Sequence, residues 1–155
     1  MKYPLSGYTI VAAFAAALLF FQSGCAHEPK PTAMASAKEA LDELRATVRE
    51  KIDDPTKAAK LTGLVDQIEQ LTVEANQELK AHDTNMWALI ENYDATQEDF
   101  KAAFREFNAR KISREERILA IDQGAKAITT KAEWKDLAKA VAHADKAILR
   151  AINGI

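Results

Sequence analysis

The sequence predicts an all-α fold: a long antiparallel helical hairpin, with two shorter helices completing a four-helix bundle at its base. Three observations carry that expectation. The 155 residues include only five Gly and four Pro, 28% are charged, and Ala, Leu, Glu and Lys dominate, which is the composition of helices. One stretch repeats apolar residues at alternating steps of four and three without a break. Finally, residues able to cap a helix recur where the apolar pattern restarts.

The first helix is expected to open at Ser36-x-x-Glu39, a capping box in which each side chain satisfies a free backbone N–H. It runs to about Ile52, with Ala37, Leu41, Leu44 and Val48 on one face. Asp53-Asp54-Pro55 stops it and starts the next, because Asp54 is a competent N-cap and Pro55 fits the first helical position. The second helix carries the unbroken stripe Leu61, Val65, Ile68, Thr72, Ala75, Leu79, His82, Met86, Leu89 and Tyr93. A 3.5-residue repeat of this kind marks a coiled-coil seam.

A turn is expected at Asp94-Ala95-Thr96, with Thr96-x-x-Asp99 opening the third helix. Phe100, Phe104 and Phe107 begin its stripe, which Ile118, Ile121, Ala125 and Ile128 resume. Lys111 and Arg114 interrupt it, and Ser113-x-x-Glu116 offers a second start, so the pattern allows a break near Ile112, with a continuous helix favoured. Thr130-x-x-Glu133 opens the fourth helix, with Trp134, Leu137, Val141, Ile148 and Ile152 inward, closed by Asn153-Gly154. The two short helices are expected to fold back on the ends of the hairpin, the first on the second and the fourth on the third. Charge agrees with the hairpin: Leu61 to Asp99 holds a single base, Lys80, among many acids, whereas Phe100 to Arg150 is rich in Lys and Arg.

The first 24 residues do not share this pattern. Thr9 to Phe21 is uncharged and apolar after the lone charge of Lys2. That is shorter than the roughly 20 residues of a membrane-spanning helix and matches the apolar region of an export signal. Gln22-Ser23-Gly24-Cys25 follows, and Cys25 is the only cysteine, so no internal disulfide can form. The small pair before the cysteine resembles the lipobox of bacterial lipoproteins, although Gln22 stands where that family prefers an apolar residue. The resemblance implies cleavage before Cys25, lipidation of its thiol and a membrane anchor at that residue. Ala26, in place of Asp, implies by the same resemblance the outer membrane, facing the periplasm, if the source has two membranes. Residues 1–24 are thus read as a lipoprotein signal peptide, 25–35 as the lipidated cysteine and an extended tether with two prolines, and 36–155 as the bundle domain.

Function is less legible than architecture. A net charge of −2 and the lack of a polybasic patch argue neither for nucleic acid nor for a strongly acidic partner, and no nucleic-acid binding is expected. There is no nucleophile elbow, phosphate loop or HExxH, so a non-enzymatic role is expected, with no cofactor and no metal. His82 and Met86 share a helix face, and Met34 and His143 could imitate a haem pair, which keeps a metal- or haem-binding bundle as the alternative. A structural subunit of an envelope assembly is the other. Five of the six aromatics after Cys25 flank the expected turn: Trp87, Tyr93, Phe100, Phe104 and Phe107. Trp87, Tyr93 and Phe100 are therefore the candidate contacts for a protein client or partner. Phe104 is expected in the seam, and Trp87, one residue off it, partly accessible. Short stretches at Ile112–Arg117 and Ile128–Trp134 resemble the helix-start motifs of Spy/CpxP-type periplasmic proteins, with Glu at the position where those carry Gln. That resemblance implies chaperone-like or stress-related contacts.

Overall fold

A computed structural model describes residues 32–153. The expected signal peptide, Cys25 and all but the end of the tether lie outside the described residues, as does Gly154. Among the described residues there are four helices and no strand: α1 (Ala33–Lys51), α2 (Pro55–Glu91), α3 (Gln97–Ile128) and α4 (Lys131–Asn153).

Helix α1 starts three residues before the Ser36 box. Thr32 is its N-cap, its Oγ1 accepting the Ala35 N–H at 3.2 Å, and the Ser36 N–H already donates to the Thr32 carbonyl. The earlier start has a packing reason, because it lets Ala33 and Met34 lie against the core. The α1–α2 junction follows the sequence pattern. Asp54 accepts from the N–H groups of Thr56 (2.8 Å) and Lys57 (3.1 Å), and Pro55 occupies the first helical position.

Helix α2 has 37 residues, about 55 Å at 1.5 Å per residue. It ends at Asn92, whose side chain accepts the Asp94 N–H at 3.1 Å. Thr96 and Asp99 then form the expected capping box of α3. Helix α3 runs unbroken through Ile112 and Ser113. A charged residue in its stripe does not end it, because Arg114 is buried there and bonded to Glu78 of α2.

Helices α2 and α3 form the antiparallel hairpin, with Glu78 facing Arg114 and Glu74 facing Arg117 at 3.2 Å. These pairs realise the charge match between the two segments. Helix α1 packs on α2 at the base as expected, whereas α4 departs from the expected arrangement. The most extensive pairing is between α1 and α4, and α4 packs on α2 rather than broadly on α3. The reason lies in side-chain size. Ala37 and Ala40 of α1 and Ala144, Ala147 and Ala151 of α4 are all buried, and small residues let two helices approach closely. The pair is antiparallel, since Glu43 lies beside His143 at 3.7 Å and Lys51 lies within electrostatic reach of Asp136.

The main buried core occupies this base, from Leu41, Leu44 and Val48 across Leu61 and Val65 to Leu137 and Ile148. Further along the hairpin, Leu71, Thr72 and Ala75 of α2 are still buried, and Ala103 and Arg114 are the buried positions of α3. Thr72 satisfies its hydroxyl by donating to the Ile68 carbonyl at 2.8 Å.

The start of α4 ties the base together. Thr130 and Glu133 cap reciprocally, at 3.2 Å and 2.6 Å, and Glu133 also receives Lys57 of α2 at 2.9 Å and 3.0 Å. The Lys57 bonds first, and then the Thr130 N–H, lower the Glu133 pKa from 4.5 to about 2. A carboxylate held below its unfolded value stabilises the fold fully above pH 4.5, and that contribution disappears as the pH falls through about 2. Glu133→Gln is expected to lower the thermal midpoint at neutral pH and to flatten its dependence across that acid window. Midpoints measured over a pH series check it: an unchanged slope would mean that the Lys57 pair does not contribute.

Candidate functional site

The tip of the hairpin is where apolar side chains meet solvent. Two helices can bury only one face of each, so a bulky residue off the seam has nothing to cover it. Trp87, one position away from the seam residue Met86, is 64% exposed, and Ile90, three residues further on the same face, is 59% exposed. Tyr93 is fully exposed. Its seam position on paper is lost because α2 stops at Asn92, which carries Tyr93 out of the helix and away from α3.

Across the tip, Phe100 and Phe107 are half-buried while Phe104 is 49% exposed. This corrects the expectation that Phe104 lies in the seam. The buried position is taken by its neighbour Ala103, so that α3 presents Phe100, Ala103 and Phe107 toward α2 at steps of three and four. Phe104 sits at the edge of that contact. Its ring and that of Phe107 pack on His82 rather than on Trp87 and Tyr93. The His82 and Phe107 rings stack with centroids 4.2 Å apart, and Phe104 meets His82 edge-on at 5.4 Å.

The three candidate contact residues are therefore not equivalent. Trp87 and Tyr93 are open to solvent, whereas Phe100 is partly inside the pair. Ile90 and Phe104 join the exposed set. Ile90 was legible as an apolar residue three after Trp87, but its place beside the stripe makes it look like a widening of the core. The tip is not uncharged at its margin: Glu78, Glu106 and Arg110 line a small cleft with His82 and Phe107, and Arg110 is bonded to Glu106.

Two histidines, His82 and His143, lie among the described residues. His82 is half-buried between two phenylalanine rings, and His143 is exposed beside Glu43 rather than Met34, whose side chain packs on the base core. Among the described residues no three His, Cys, Asp or Glu side chains are grouped to hold a metal ion. None of the described helices is long and apolar enough to cross a membrane.

The base presents a different feature. The four helices converge around an apolar cavity of about 90 Å³, lined by Leu44 of α1, Leu64 and Ile68 of α2, Ile121 of α3, and Trp134 and Leu137 of α4. Among the described residues, its charged lining groups are Asp122 and Asp145. Compared with known proteins, the chain matches no family model, no curated protein and no solved structure.

Proposed function

We propose that the chain is a membrane-anchored envelope lipoprotein without enzymatic activity, which meets another protein through its hairpin tip in a chaperone-like or stress-related role. Cys25, placed after Ser23-Gly24 and an apolar export signal, supplies the anchor by its resemblance to the lipobox. The outer membrane, facing the periplasm, is the location that Ala26 implies. The observation that carries the contact reading is the exposure of Trp87, Ile90 and Tyr93 together at one end of a long hairpin. Large rings left in water at the end of a thin structure are the side chains from which binding hot spots are built. A hairpin of this length also holds them far from the base.

Two measurements test the two halves of the reading. Cys25→Ser is expected to abolish labelling by palmitate and to leave an uncleaved or soluble chain; unchanged labelling would remove the anchor. For the contact, a photo-crosslinking side chain at position 87 or 93 is expected to capture a protein in intact cells, and one at the exposed Lys139 of the base is not. Trp87→Ser with Tyr93→Ser should abolish protection of an aggregating client while changing stability by less than about 0.5 kcal/mol, as for other exposed positions. Equal capture at Lys139, or full client protection by the double variant, would reject the tip as the contact surface.

A further inference from the structure

We infer that the cavity at the base of the bundle is a binding site for a short-chain organic cation, its apolar body among the four helices and its ammonium group at Asp145. The cavity is independent of the hairpin tip, and nothing in the contact reading requires it.

Three features of the geometry support the assignment. First, the cavity is built by every helix and lined almost wholly by aliphatic and aromatic side chains. The pocket is partly open to solvent, and its apolar wall favours apolar guests, as an enclosed apolar void of about 150 Å³ takes benzene. At about 90 Å³ this one suits a short alkyl chain whose head remains outside.

Second, the charge at the lining has one sign and is only partly matched. Asp122 is bonded to Lys126 at 2.6 Å, and Lys126 also lies over the Trp134 ring at 5.1 Å. Asp145, one helix away, has neither a hydrogen bond nor an ion pair among the described residues. The groups that act on it electrostatically are Asp122 and Lys126 of α3.

Third, its surroundings disfavour its own charge. Asp145 is exposed at the rim of the cavity, where partial desolvation by the apolar lining, and then the negative charge of Asp122, raise its pKa, while Lys126 acts in the opposite sense. A carboxylate in that position is stabilised by an incoming cation and destabilised by an incoming anion. An alcohol of the same length satisfies the apolar wall without the charge, so the comparison of the three ligands isolates the role of Asp145.

The test uses the purified full chain and follows the indole N–H resonances of its two tryptophans by NMR. Trp134 lines the cavity and Trp87 lies at the hairpin tip, so the second is an internal control. Titration with n-butylammonium is expected to give a saturable shift at Trp134 alone. n-Butanol should bind about fivefold more weakly, the scale of one partly exposed ion pair, and butyrate should not bind. Asp145→Asn should reduce the ammonium affinity to that of the alcohol. Lys126→Gln, which removes the competing cation, should raise it, and serves as a variant of opposite sign. Equal affinity for ammonium and alcohol, binding of butyrate, or no saturable shift at Trp134 would each overturn the proposal. So would a preference for ammonium that survives Asp145→Asn.

Discussion

Glu78→Ala is expected to destabilise the protein by about 3 kcal/mol, at the lower end for breaking a buried ion pair. The change leaves the Arg114 guanidinium, on a side chain only 9% exposed, without its carboxylate in the seam between α2 and α3. Arg114→Ala removes the buried charge itself and leaves Glu78, 26% exposed, where water can reach it. It is expected to cost less, about 2 kcal/mol, mostly through lost packing of the arginine stem. Replacing both residues by Leu restores an apolar seam and should return stability to near the wild-type value, because desolvating two charges offsets most of what their attraction contributes. Urea denaturation of Glu78→Ala, Arg114→Ala and a double variant carrying both alanines measures this coupling. Additive losses in the double variant would show that the pair does not act as a unit.

Leu137→Ala is expected to cost about 3–5 kcal/mol, whereas Phe104→Ala should cost less than about 1.5 kcal/mol. Leu137 is 2% exposed, belongs to the base core and lines the cavity, so truncation both removes buried methyl groups and enlarges an existing void. Phe104 is half in water, its ring edge-on to that of His82, so much less apolar surface is re-exposed when it is cut back. The contrast expresses where stability resides in this molecule. The base holds the four-helix core, and the tip is a helix pair with one covered face. Hydrogen exchange should follow the same gradient, slow at α1, α4 and the start of α2, and faster around Trp87 and Phe104. A large loss on Phe104→Ala with little on Leu137→Ala would reverse that assignment.

What could be read directly from the sequence was the part governed by short-range physics. The cap residues Asp54, Thr96 and Thr130, with Pro55, Asp99 and Glu133, act within three or four positions of themselves, so their pattern announces helix starts whatever lies across the bundle. The stripe from Leu61 to Ala75 was equally legible, because many successive turns repeat one face, and one face must be buried. The all-α class and the long hairpin follow from these two kinds of signal.

Tertiary structure alone decided what depends on the distance between helices. At the tip, Phe104 and Ala103 are adjacent, and either can continue a heptad stripe. Size favours the ring on paper, but close approach of α2 and α3 leaves room for Ala103 and turns Phe104 to the edge. Arg114 read as an interruption because its partner Glu78 is 36 residues away. The pairing of α1 with α4 depends on alanines that look unremarkable in a helix and matter only where two of them meet. The cavity and the lone Asp145 carboxylate exist only where four helices converge, and no one-dimensional spacing records that. Local hydrogen bonds and periodicity are written along the chain, whereas close packing is a property of surfaces brought together from distant parts of it.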